Sequence, residues 1–177
     1  MKKLMAVLLA AVTLLWCTAA FAGSYASLGE DESLVFAGVG GIFLSGSDAT
    51  GADQDEFLPT VNISGVCDTW AWQAFYAFGD DASAFGGNVN YILASNFDEC
   101  ATCPAEEGIW WFGAGPSIIV YEDLFQDAAG ANGVDDTEFG ANLGLGWLKD
   151  NWSFQLYGHY FWDSETFGIQ GSLNYAF

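Results

Sequence analysis

The chain has 177 residues, 52% of them hydrophobic and 17% aromatic, and 23 acidic residues stand against three basic ones. That balance repels a phosphate backbone, so nucleic acid is excluded as a partner, while cations are attracted. Beyond residue 22 no run of 18 apolar residues occurs; helical membrane spans are therefore excluded, and the apolar content belongs to a soluble β-fold or a closed membrane barrel.

The N-terminus comes first in chain order. Met1-Lys2-Lys3 is a positive start, Leu4 to Ala20 is predominantly apolar, and Ala20-Phe21-Ala22 is a small-x-small cleavage site. The pattern predicts a secretory signal peptide over 1–22 and export through the periplasm. Removing it leaves Lys149 as the one base. Residues 23–32 read as a short acidic N-terminal segment, and 33–177 as the folded domain.

That domain divides into eight windows free of Asp, Glu, Lys and Arg: 33–47, 57–67, 69–79, 82–97, 108–121, 139–148, 151–162 and 166–177. The acids occupy the joints between them. A transmembrane strand needs roughly 9–11 residues, and a Lys or Arg facing lipid at mid-depth costs about 2–4 kcal/mol. Eight charge-free segments of crossing length therefore predict eight membrane-crossing strands.

Alternation supports the reading. Phe167, Ile169, Gly171, Leu173, Tyr175 and Phe177 fall on one face of the last window, and Gly168, Gln170, Ser172 and Asn174 on the other. Trp152, Phe154, Leu156, Tyr160 and Trp162 oppose Ser153, Gln155, Tyr157 and His159. Phe139, Leu143, Leu145 and Trp147 oppose Asn142 and glycines, and Trp70, Trp72, Tyr76 and Phe78 oppose Gln73 and Phe75. The bulky faces suit lipid and the small or polar faces a narrow interior. The expected inward set is uncharged: Gln73, Asn88, Asn90, Asn142, Gln155, His159, Gln170, Ser172 and Asn174. Such a filled lumen leaves no room for an ion-selective channel unless chains associate. Two windows are less regular. Gly38, Gly40 and Gly41 blur the first, and Trp110, Trp111 and Pro116 blur the fifth, where Pro116 predicts a bulge or a shortened strand.

Loop lengths orient the barrel. The connections holding Ser47 to Glu56 and Glu122 to Glu138 are long and expected outside; those at Asp68 and Lys149-Asp150 are tight and expected in the periplasm. Asp163 to Glu165 is short for an outer loop, and Asp98 to Glu107 long for a periplasmic turn. Trp70, Trp72, Trp110, Trp111, Trp147 and Trp152 map to the periplasmic rim. Phe43, Phe57, Phe78, Tyr121, Phe139, Tyr160, Trp162 and Phe167 map to the outer rim, which gives two aromatic girdles.

The final strand, Gln170-Gly171-Ser172-Leu173-Asn174-Tyr175-Ala176-Phe177, ends on an aromatic, with Leu173 and Tyr175 at alternate positions before it. It resembles the C-terminal assembly signal of small eight-stranded outer-membrane barrels of the OmpX and OmpA-transmembrane kind, though Gly171 sits one place earlier than in the commonest form. The resemblance implies an all-β, up-and-down antiparallel barrel in the outer membrane of a Gram-negative bacterium. It implies lipid, lipopolysaccharide, the barrel-assembly machinery and periplasmic chaperones as partners, and it transfers no catalytic motif.

Three constellations are candidates for chemistry. Cys67, Cys100 and Cys103 remain after processing, and an oxidising periplasm favours a disulfide, either Cys67 to Cys100 or Cys103, or Cys100 to Cys103. Asp53, Asp55 and Glu56 in the first outer loop, and Asp127, Asp135, Asp136 and Glu138 in the third, are expected to hold Ca2+ or Mg2+ diffusely rather than at a dedicated metal site. Asp127 and Glu138 have the end spacing of an EF-hand loop, but Ala129, Ala131 and Asn132 break the pattern. His159 with Asp163 and Ser164, or with Asp81 and Ser83, is the raw material of a lipid hydrolase or acyltransferase, yet its parity makes it an interior residue. The expected function is a surface or structural barrel without catalysis and without a cofactor. The runner-up is uptake of small hydrophobic solutes through the wall.

Overall fold

The computed structural model describes residues 34–47, 53–66, 69–79, 83–96, 108–124 and 134–176. The strands are β1 (Leu34–Ser47), β2 (Asp53–Val66), β3 (Trp70–Phe78), β4 (Ser83–Ser95), β5 (Ile109–Leu124), β6 (Val134–Lys149), β7 (Trp152–Phe161) and β8 (Phe167–Ala176). Each pairs antiparallel with the next, and β1 pairs with β8, so the sheet is a closed barrel. Closure leaves no strand edge exposed. The signal peptide and the segment 23–32 lie outside the described residues.

Each charge-free window overlaps one strand, but the windows do not mark the strand ends. β2 starts at Asp53 and β6 at Val134, so Asp53, Asp55, Glu56, Asp135, Asp136 and Glu138 stand in strands rather than in loops. The reason is physical. The absence of charge records the part of a strand that must avoid charge, and a ladder continues beyond it wherever its partner does. β1 runs four residues past Phe43 to Ser47, about 13 Å at 3.3 Å per residue.

Parity holds in both irregular windows. On β1, Leu34, Phe36, Ile42 and Leu44 are buried, while Val39 and Phe43 face out. Gly38 and Gly40 fall in the inward row between them. On β5, Trp110 is exposed but Trp111 is fully buried in the lumen, so Trp111 leaves the predicted girdle. Tyr121 leaves the outer girdle likewise, at 3% exposure. Two consecutive tryptophans must face opposite sides of a pleated strand, and one of any such pair goes inside.

Pro116 neither shortens nor bulges β5. Ser117 pairs with Asn88 and Ala114 with Tyr91 in one continuous register, with the two pairs between them missing from the ladder. The shifts occur elsewhere, between Ile92 and Ala94 and between Tyr121 and Leu124. Asn142 Nδ2 donates from β6 to the carbonyls of Gly115 (3.1 Å) and Pro116 (3.0 Å), which ties the proline stretch to its other neighbour.

Outward side chains form a belt of large apolar residues, among them Val61, Leu93, Leu143, Phe154, Ile169 and Leu173. Trp72 also faces out but lies flat over Gly65, its cross-strand partner on β2, where a Cβ would run into the indole. The same device recurs inside, where Trp111 covers its partner Gly146. Pairing an aromatic with a glycine gives the ring a flat bed of backbone.

The lumen has two apolar layers. One gathers Ile42, Leu44, Leu58, Phe75, Ile119, Tyr121 and Phe161 near the end that carries the β1–β2, β3–β4, β5–β6 and β7–β8 connections, called the outer end below. The other gathers Leu34, Phe36, Val66, Ile109, Trp111, Leu148 and Tyr157 towards the inner end. Alternation puts Phe75 and Tyr157 on inward faces that are otherwise small or polar, and the structure adds Phe36, Ile42, Leu44, Leu58 and Trp111 to them. Large side chains are needed because an eight-stranded barrel is filled by its own side chains.

Candidate functional site

Polar side chains occupy the lumen between the two apolar layers and reach towards the inner end along β7 and β8. All nine groups expected to point inward are buried: Gln73, Asn88, Asn90, Asn142, Gln155, His159, Gln170, Ser172 and Asn174. Strand alternation alone placed them.

A directly bonded group spans the lumen between β2, β3, β7 and β8, and Gln155 is its centre. Its amide nitrogen donates to Ser64 Oγ at 3.1 Å and to Ser153 Oγ at 3.3 Å; its carbonyl accepts from Tyr157 Oη at 3.2 Å and Gln73 Nε2 at 3.4 Å. Gln73 Nε2 also reaches Ser172 Oγ at 3.3 Å, and Asn174 Nδ2 donates to the same hydroxyl at 3.1 Å. The network crosses the barrel from β3 to β8 and resists distortion of its cross-section.

Among the described residues, unpartnered atoms occur within that group, at Gln73 Oε1, Gln170 Nε2 and Asn174 Oδ1, and on β2, β4 and β5. Thr60 Oγ1, Ser117 Oγ and both side-chain polar atoms of Asn62, Asn88 and Asn90 have no hydrogen-bond partner among the described residues. A buried polar group left without a partner costs roughly 1–3 kcal/mol.

His159 stands where the polar zone meets the outer apolar layer. Phe161 stacks on it with ring centroids 5.8 Å apart, and Tyr157 and Phe75 lie at 6.0 and 6.4 Å. Its Nε2 is 3.2 Å from Gln170 Oε1 and its Nδ1 has no partner. The histidine therefore bonds to neither Ser164 nor Asp163, and among the described residues it forms no base–nucleophile pair. Asp81 lies outside the described residues.

Ser164 is engaged elsewhere. Its hydroxyl donates to Glu138 Oε2 at 2.6 Å and its N–H reaches the same oxygen at 3.3 Å; the Tyr121 hydroxyl donates to Glu138 Oε1. Glu138 is 1% exposed. This corrects two expectations: Glu138 is not a loop acid, and the interior is not free of charged side chains. The signal was present in the sequence. Glu138 shares parity with Gly140 and Asn142, so extending the alternation one step past Phe139 puts it inside. The carboxylate joins β5, β6 and the β7–β8 turn over the outer apolar layer.

The other candidate acids do not assemble. Asp55 is exposed and Glu56 half-buried on β2. Asp53, Asp135 and Asp136 are in strands, their side chains outside the described set, and Asp127 is outside it altogether. Among the described residues no three His, Cys, Asp or Glu groups come together to hold a metal. Cys67, Cys100 and Cys103 lie outside the described residues. Of the assembly-signal residues, Leu173 and Tyr175 face out at 50% and 42% exposure, and Phe177 is outside the described set.

At the inner rim the aromatic girdle is built from cross-strand pairs. Trp70 meets Tyr91 at 5.2 Å and 76°, and Trp152 meets Tyr175 at 5.1 Å and 74°. Both are edge-to-face, the arrangement that aligns ring quadrupoles.

No protein-family model matches the chain, and no curated protein matches it. Solved structures similar to it include the following three. Neisserial surface protein A has a TM-score of 0.48 at 11% identity, covering 81% of this chain and 97% of that one. The N-terminal β-barrel domain of Pseudomonas aeruginosa OprF has 0.47 at 14%, covering 82% and 97%. Ail, the attachment invasion locus protein of Yersinia pestis, has 0.37 at 11%, covering 82% and 97%. At these levels no functional residue transfers, and the closed eight-strand ladder itself establishes the fold.

Proposed function

We propose that this protein is an outer-membrane barrel of a Gram-negative bacterium with a structural or surface-interaction role and no catalysis. The outward belt carries the reading. Between its girdles, large apolar side chains such as Val61, Leu143, Phe154 and Leu173 are exposed all round a closed barrel. Facing water, an apolar surface of that extent would drive association. Facing lipid, it is the required surface. β3, with 9 residues, and β7 and β8, with 10 each, have the length of a crossing strand.

The acidic outer end then meets the cell's surroundings. Its carboxylates attract Ca2+ and Mg2+, which bridge to lipopolysaccharide phosphates. The barrel-assembly machinery and periplasmic chaperones deliver the chain, reading Leu173, Tyr175 and Phe177. Catalysis is disfavoured by the separate engagement of His159 with Gln170 and of Ser164 with Glu138. Uptake through the wall at Pro116 is disfavoured by the register, which continues unshifted on both sides of the proline, and by Gly115, where even a methyl group would run into the Val89 carbonyl.

Cell fractionation combined with gel mobility tests the reading. Outer-membrane enrichment and a folded band that migrates differently before and after boiling are expected. A soluble periplasmic pool without heat-dependent mobility would overturn it.

A further inference from the structure

We propose that the inner rim, where β6, β7 and β8 meet, binds a zwitterionic phospholipid headgroup, one that carries a phosphate and a primary ammonium. The inference rests on the outer-membrane reading, in which this rim lies at the periplasmic leaflet. Beyond residue 22 the chain has one base, Lys149, against 23 acidic residues. That base is the last residue of β6, at the inner end. Lys149 pairs with Trp152, and Trp152 with Tyr175. The three share one outward row, in which Trp152 and Tyr175 are exposed.

Donors gather around the ammonium. Asn151 Nδ2 donates to Tyr175 Oη at 3.2 Å, so the tyrosine hydroxyl keeps its own proton to give outwards. The Asn151 carbonyl accepts from the Ala176 N–H at 2.8 Å, which ties the β6–β7 turn to the end of β8. On the other side, the Trp147 indole nitrogen lies 2.7 Å from where a Cβ on Gly108 would stand. Gly108 precedes Ile109, the partner of Leu148, so this N–H is carried down to the level of Lys149. The Trp152 and Tyr175 rings meet edge to face and present apolar surface at headgroup depth. Lys149 also interacts within the protein, and an ammonium has three N–H donors to share.

A phosphate oxygen is the acceptor that fits an ammonium flanked by hydroxyl and indole donors at this depth. Asp150 selects the rest of the headgroup. It is exposed in the turn beyond Lys149, with φ of 53°. Its carboxylate stands one residue further from the apolar belt, at the level where the end of a headgroup lies. A terminal ammonium is attracted there. A headgroup of net negative charge gains nothing from Asp150 and is repelled by the acidic chain. Phosphate followed by ammonium matches Lys149 followed by Asp150, and an ethanolamine headgroup has that order.

Native mass spectrometry of the protein refolded in detergent micelles tests this, with phosphatidylethanolamine and phosphatidylglycerol of the same acyl chains added in equal amounts. The wild type is expected to retain the ethanolamine lipid about fivefold over the glycerol lipid, the size of one exposed charge pair. Lys149→Gln is expected to lower retention of both. Asp150→Asn, which suits the same positive φ, is expected to abolish the preference while the glycerol lipid stays bound as before. Glu165→Gln, at the opposite end of the barrel, is expected to change neither. A folded wild type that retains the two lipids equally, or a folded Lys149→Gln that retains the ethanolamine lipid as the wild type does, overturns the site and leaves the membrane reading standing. Folding is judged by heat-dependent mobility, and Lys149→Met carries the same prediction if Lys149→Gln does not refold. A wild type that stays soluble without detergent overturns the membrane reading, and the site with it.

Discussion

Ser164, in the turn between β7 and β8, donates its hydroxyl to the buried Glu138 carboxylate of β6 at 2.6 Å. The carboxylate also receives the Tyr121 hydroxyl from β5, so one side chain ties three elements together at the outer end of the barrel. Hydrogen bonds to a charged group are worth about 1.5–3 kcal/mol each. Ser164→Ala is expected to lower unfolding free energy by about that amount, measured by urea titration in lipid vesicles. Glu138→Gln keeps the shape and removes the charge, so in that background Ser164→Ala is expected to cost less. Equal costs in the two backgrounds would show that the pair is not coupled.

The fold was legible because lipid imposes a rule on every crossing residue. Charge had to be absent from the outward positions, and period two had to hold. The strand ends were less legible, since that rule stops at the edge of the hydrocarbon while the ladder of β2 continues to Asp53. The interior was half legible. Parity located Gln155, His159 and Asn174 and put Phe75 and Tyr157 on the inward face, whereas Phe36 and Trp111, in the two irregular windows, were not anticipated as core. Whether Asn88 bonds directly, as Gln155 does, depends on which side chains face it across the lumen. That depends on the stagger of the closed barrel, and no local pattern records it.

The bed that Gly146 provides for Trp111 makes a contrast with Gly158. A Cβ at Gly146 would collide with the indole, whereas one at Gly158 would meet nothing within 4 Å. Gly146→Val is expected to destabilise the barrel by roughly 1–3 kcal/mol through overpacking. Gly158→Ala is expected to be neutral or slightly stabilising, since glycine weakens a strand. Trp fluorescence should shift in the Gly146 variant and remain unchanged in the Gly158 variant. Equal stability losses at the two positions would contradict the packing described here.

Gln155 joins Ser64, Ser153, Tyr157 and Gln73. Gln155→Leu strands several of these groups at once, and a loss of about 2–5 kcal/mol is expected from roughly 1–3 kcal/mol per orphan. Tyr157→Phe gives the sharper test. In the wild type it removes a hydrogen bond and should cost about 0.5–1.5 kcal/mol. In the Gln155→Leu background it removes an orphan and should stabilise. A cost of the same sign in both backgrounds would mean that the tyrosine hydroxyl is satisfied by another group.

Leu143 is 57% exposed near the middle of β6, paired with Ala114 on one side and Gly158 on the other. Its position distinguishes a lipid-facing belt from a water-facing one. Leu143→Arg places a charge at mid-depth and is expected to lower stability by about 2–4 kcal/mol in vesicles. Glu165→Arg, at the exposed tip of the β7–β8 turn, should change it by less than about 0.5 kcal/mol. The comparison is made by urea unfolding from vesicles, with the same variants refolded in short-chain detergent as a reference. In detergent the Leu143 penalty should shrink, because micelles admit water around an arginine more readily than a bilayer does. A Leu143→Arg protein as stable in vesicles as the wild type would mean that this face does not meet hydrocarbon, and the belt would then have to be covered by protein.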